Sequence, residues 1–109
     1  MKIALDYDDT YTKDPRLWKK TVRLMKHLGH TVMLVTNRGL THLPNSIGLS
    51  TEEPRTAAAL MDIPCILCGP FAKREVMDAL GEKIDIWIDD HPEWVFGGPW
   101  QYPNARWEV

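Results

Sequence analysis

Cysteine is scarce in this chain, with two among 109 residues, Cys65 and Cys68, three apart in "CILC". Without a second pair, a metal or redox reading of that tetrad has little weight. In an extended "IPCILC" run the two thiols point to opposite sides of a sheet, so they read as structural and reduced. His27, His30 and His42 add no metal-ligand spacing. Long hydrophobic runs are also missing. The first apolar run carries Lys2 and no later one approaches the length of a membrane span, so neither a signal peptide nor an anchor is expected. A cytoplasmic protein with no membrane partner is therefore expected. Charge of one sign is lacking too: 13 Lys and Arg against 15 Asp and Glu leave a formal net charge of -2. No global field therefore announces nucleic acid or anionic lipid. Basic residues do gather locally at Lys13, Arg16, Lys19, Lys20, Arg23 and Lys26, read as the solvated face of a helix. Internal repeats and low-complexity segments are absent.

What is present is enough for one domain over 1–109, with 44% apolar residues able to bury a single core. Four short apolar runs, "KIAL", "TVMLV", "IPCIL" and "IDIWI", are nearly continuous and rich in Ile, Leu and Val. Strands buried on both faces have this character. Between them lie helical patterns. Residues 15–28 place Leu17, Trp18, Val22, Leu24, Met25 and Leu28 on one broad stripe, with Asp14 as N-cap, Pro15 at the first position and Gly29 as the stop. A second helix is expected over 52–61, with Pro54 in its first turn, and a third over 71–80, ended by Gly81. The resulting βαβαβαβ order predicts an α/β, three-layer, Rossmann-like fold with a short central parallel sheet.

In such sheets ligands bind beyond the carboxyl ends of the strands. Asp6 ends the first strand, Thr36 and Asn37 the second, and Asp89 and Asp90 the fourth, while Lys73 opens the helix after the third. The stretch "DYDD" then raises a question, because Asp6, Asp8 and Asp9 repel one another unless something positive lies among them. Carboxylates from neighbouring strand ends can share Mg²⁺, a hard ion that prefers oxygen ligands and leaves room for a phosphate. Such an ion would neutralise the cluster. Asp6 is then placed to attack phosphorus, Asp8 to act as general acid and base, and Thr36 and Lys73 to stabilise the transferring phosphoryl group. Asn37 and Arg38 are candidates for a second phosphate or a base. His91 reads as a loop residue that could touch substrate.

These residues resemble the four motifs of the haloacid dehalogenase superfamily of phosphohydrolases. An apolar strand followed by D-x-D-x-T matches Asp6, Asp8 and Thr10. A Thr after the second strand matches Thr36 in "VMLVTNR", a Lys near a helix start matches Lys73 in "FAKREV", and an acidic pair after a strand matches Asp89 and Asp90 in "IWIDDHPE". The resemblance implies Asp6 as nucleophile, Asp8 as acid/base, and a Mg²⁺ site made by Asp6, Asp8 through its carbonyl, Asp89 and Asp90. Asp9, Thr10, Asn37 and Arg38 fall to phosphate or substrate binding. The phosphatase branch is implied rather than a dehalogenase proper.

Members acting on small metabolites usually carry a cap domain after the first motif or the third strand, and here neither connection has room for one. The resemblance therefore implies a capless form with an open site, used on large or exposed phosphorylated substrates, closed by a partner subunit as in a homo-oligomer, or covered by the loop at 37–50. Small capless members resemble proteins of bacteriophage and bacterial genomes, which favours a nucleotide or nucleic-acid end as the phosphomonoester. The alternative is a protein that captures a phosphorylated signalling nucleotide without turnover, as in phage counter-defence. Trp94, Trp100, Tyr102 and Trp107 gather toward the C-terminal segment at 97–109, read as core-edge packing or a dimer contact.

Overall fold

The computed structural model describes residues 1–39 and 50–97. Strand β1 (Lys2–Leu5) leads through a 3₁₀ turn at Tyr11–Lys13 into α1 (Pro15–His27), followed by β2 (Thr31–Thr36), α2 (Glu52–Met61), β3 (Cys65–Leu67), α3 (Lys73–Ala79), β4 (Ile86–Ile88) and α4 (Glu93–Phe96). Of the long connection at 37–50, only residues 37–39 and 50 fall within the described residues. His42 and the aromatic segment beyond residue 97, with Trp100, Tyr102 and Trp107, lie outside them.

The four strands form one all-parallel sheet in the order β3-β2-β1-β4. Period-two alternation divides the side chains between two layers. Ile3, Leu5, Val32 and Leu34 join Val22 of α1 and Ala57, Ala58 and Met61 of α2 on one face. Ala4, Met33 and Val35 join Met77 of α3 and Cys68 on the other. Cys65 packs with the first group and Cys68 with the second, so the two thiols stand on opposite sides, as the extended run requires. Burial pushes both thiols upward, Cys68 to about 12, which keeps them protonated at neutral pH.

Helix ends follow the sequence closely. Asp14 accepts the Leu17 amide at 3.1 Å, and Gly29 leaves α1 at φ +91°, a left-handed value that a side chain resists. Three expectations need correction. The apolar stripe of α1 is narrower than the leucine pattern suggests: Trp18, Val22 and Met25 meet the sheet, whereas Leu17, Leu24 and Leu28 are exposed. Positions 18, 22 and 25 follow one line on the helix and 17, 24 and 28 the next, and the sheet reaches only the first. Helix α3 starts at Lys73 rather than 71, because Ala72 is still extended at φ −60°, ψ 134°. Finally, "EWVF" forms a short helix, α4, that packs against α3.

Candidate active site

Strand β1 lies between β2 and β4, the second and fourth of the described strands. The direction of winding reverses across β1 and β4, and this is where an open parallel sheet leaves a crevice at its carboxyl edge. Pairing continues one residue past β1, with the Asp6 amide donating to the Ile88 carbonyl at 2.9 Å, which sets Asp6 beside Asp89. Between them sits Lys73. Among the described residues it is the largest of the fully buried side chains, an unusual place for an ammonium unless carboxylates surround it. Its Nζ donates to Asp6 Oδ1 at 2.6 Å and to Asp89 Oδ2 at 2.5 Å. The Thr10 hydroxyl lies 3.1 Å from Asp6 Oδ2 and 3.3 Å from Asp90 Oδ1 and donates to one of them at a time. The His91 amide donates to Asp89 Oδ1 at 2.9 Å.

One carboxylate oxygen each from Asp6, Asp89 and Asp90 lies within 4.8 Å of the others, so the three could hold a metal ion. The donors are all oxygen, as a hard divalent cation requires. One ammonium does not balance three carboxylates. Burial raises Asp6 to about 8, against the pull of Lys73 and with the help of Asp90 and Asp89. Burial alone would lower Lys73, but Asp6 and Asp89 outweigh it and hold its pKa above the ordinary lysine value. Lys73 is thus a fixed cation, and Asp6 keeps a proton until further positive charge enters the group.

The remaining acids of "DYDD" are placed elsewhere. Asp8 receives both Nε and Nη2 of Arg38, at 2.9 and 2.7 Å, in a bidentate pair. Asp9 is exposed at a left-handed corner, φ 60°, its amide donating to Thr12 Oγ1 at 2.9 Å; its carboxylate makes no hydrogen bond among the described residues. The crowding is therefore relieved in three separate environments: Lys73 faces Asp6, Arg38 faces Asp8, and Asp9 turns to solvent. Arg38 also binds Glu53 Oε1 and the Ser50 carbonyl, each at 2.9 Å, and its guanidinium lies 5.0 Å from the Tyr7 ring centroid. These bonds, Asp8 foremost, raise its pKa further.

Thr36 is buried at the end of β2, and its Oγ1 accepts the Arg38 amide at 3.2 Å. Asn37 serves the scaffold: its Nδ2 donates to the Gly69 and Phe71 carbonyls at 2.9 and 3.0 Å, fixing the loop that presents Lys73. His91 reaches Glu93 Oε1 at 2.8 Å and stacks on Trp94 at 4.1 Å. The structure thus brings Asp6, Thr10, Lys73, Asp89 and Asp90 together. It sets Asp8 and Arg38 in an adjoining pair, and it leaves Asp9 outside.

Three contributors were not read from the sequence. Glu53 anchors Arg38 from α2, and no local pattern links residues 15 apart on different elements. Trp18 donates Nε1 to the Thr10 carbonyl at 2.9 Å and holds the loop to α1. Tyr7, buried and stacked with Tyr11 at 5.6 Å, floors the Arg38 guanidinium. Strand alternation, which turns residue 7 away from 6 and 8, was the available signal for it. No family model matches the chain, and no curated protein or solved structure matches it either.

Proposed function

We propose that the chain is a Mg²⁺-dependent phosphohydrolase of the haloacid dehalogenase type, capless, acting on a phosphomonoester of a nucleotide or nucleic-acid end. The observation that carries this reading is Lys73: a buried ammonium joining Asp6 and Asp89, drawn from two strand ends more than 80 residues apart. Such a group has no packing purpose and fits a site that handles concentrated negative charge. Asp6, Asp89 and Asp90 would hold the ion, which would offset charge on the phosphoryl oxygens and align them.

In this reading the Asp6 carboxylate attacks phosphorus as the bond to the leaving oxygen breaks, and Asp8 gives that oxygen its proton. Water then attacks the phosphorus, the bond to Asp6 breaks, and Asp8 takes the proton of the water. Thr36 and Lys73 steady the phosphoryl oxygens. Arg38 has a fork that fits phosphate as well as carboxylate, so incoming substrate can compete for it and release Asp8.

The test is phosphate release from a panel of phosphomonoesters and nucleotides with Mg²⁺. Asp6→Asn is expected to lower the rate at least about a thousandfold, and chelation to abolish it. Turnover that survives both would overturn the reading. One observation favours a second reading, capture of a nucleotide without hydrolysis: Asp8, the expected proton donor, is already engaged by Arg38 on both oxygens. A nucleotide retained and recovered intact by mass spectrometry would select that alternative.

A further inference from the structure

Charge is unevenly divided along this chain. Residues 13–26 hold six of the 13 basic residues and a single acid, Asp14, whose carboxylate caps α1; the rest of the chain has seven basic residues against 14 acids. Arg16, Lys19, Lys20, Arg23 and Lys26 recur at helical spacing and share one face of α1. Lys2, Arg38, Lys73 and Arg74 have acidic partners; among the described residues Lys13, Arg16, Lys19, Lys20, Arg23, Arg55 and Lys83 form no ion pair, and four of these stand together on α1. Lys26 lies 3.5 Å from the Asp62 carboxylate and donates to the Met61 and Asp62 carbonyls at 3.2 and 2.7 Å, so it lines the groove as a tethered cation. Like charges at these spacings destabilise a helix, so the arrangement works against α1 unless an anion covers it.

The same face forms one wall of a groove of about 300 Å³, bounded by Lys19, Arg23 and Lys26 on α1 and by Leu60, Met61 and Asp62 at the end of α2. Helix α1 starts at the site, where Trp18 holds the Thr10 carbonyl, and runs about 20 Å toward the opposite edge of the sheet. We infer that this face and groove bind the phosphodiester backbone of a polynucleotide, laid along α1 so that its end reaches Asp6. Delivery of that end rests on the proposed function; binding of the backbone does not. A strand suits the groove because it is narrow and repeats its charges. An anionic bilayer suits it less: it is flat, and it engages a helix through an apolar stripe flanked by basic residues. Here the exposed Leu17, Leu24 and Leu28 lie away from the groove cations, on the other side of Lys20.

The test is fluorescence anisotropy with a labelled 12-nucleotide single strand (about three to four phosphates within reach of α1) bearing hydroxyls at both ends. Affinity should fall with salt at a log–log slope of about −2, as for three neutralised phosphates. Lys19→Glu with Arg23→Glu should weaken binding at least tenfold and flatten that slope, while Lys83→Glu, on another surface, should change it less than twofold. Circular dichroism confirms that both variants fold. Absence of strand binding, a double variant that binds like wild type, or capture of anionic phospholipid vesicles in place of the strand overturns the inference. A hydroxyl-ended strand contains no phosphomonoester, so the two claims separate. A wild-type protein that hydrolyses mononucleotides but does not bind the strand removes the groove alone, whereas groove-dependent binding without phosphate release from any substrate removes the phosphohydrolase alone.

Discussion

Arg38 shows how much one side chain can organise. It grips Asp8 with two nitrogens, reaches Glu53 and the Ser50 carbonyl with a third, and lies over Tyr7. Lysine in its place keeps the charge but loses the planar fork. Arg38→Lys should cost about 1.5–3 kcal/mol of stability, measured by urea unfolding. It should also raise KM and lower phosphate release about tenfold; a higher kcat would mean instead that Arg38 restrains Asp8. At this scale the sequence was legible where a residue ends a strand. Asp6, Thr36 and Asp89 were placed by the apolar runs before them, and Lys73 by the short link after β3. The fates of Asp8 and Asp9 were not legible, because they depend on the left-handed turn at Asp9 and on a guanidinium 30 residues away. Asn37 shows the same dependence: its amide nitrogen meets loop carbonyls that only the β2–β3 pairing brings near, and its Oδ1 is buried without a hydrogen-bond partner among the described residues.

Among the elements, α2 carries a local conflict at its end. Its C-cap, Asp62, is left-handed at φ 53°, ψ 54°, a conformation that costs a residue with a Cβ about 1–2 kcal/mol. Lys26 is held there by the Asp62 carbonyl at 2.7 Å, which any residue supplies. Asp62→Gly should therefore stabilise the protein by about 0.5–1 kcal/mol, seen as a higher urea midpoint at unchanged m-value. A lower midpoint would mean that the carboxylate near Lys26 outweighs the backbone strain. The helices were legible through caps and stops, and the strands through their continuous apolar character. The width of α1's buried stripe was not, because a leucine looks the same whether or not the sheet extends beneath it. Helix α4 was hidden by "HPE", which reads as a turn, and its stability comes from contact with α3.

For the whole molecule, Asp6 links the site to stability. Its folded pKa of about 8 stands above the ordinary 3.8, chiefly through burial, so between those values the folded chain holds a proton that the unfolded chain releases. The stabilisation from this group is fully present below about pH 4 and is lost as pH rises through about 8. Tm of the metal-free protein should therefore decline over that window. Asp6→Asn should flatten the decline, and Mg²⁺ at pH 8 should restore part of it. A Tm that rises across the window would show that Lys73 keeps Asp6 ionised throughout.

The strand order also governs when this molecule can come into being. Among the described strands β1 is made first, yet its second neighbour, β4, is made last. A nascent chain arrested before Ile86 can pair β1 with β2 and β3 with β2, but one flank of β1 stays bare and Lys73 has only Asp6 to answer it. The chain must therefore have left the ribosome through Asp90 before the carboxylates can meet.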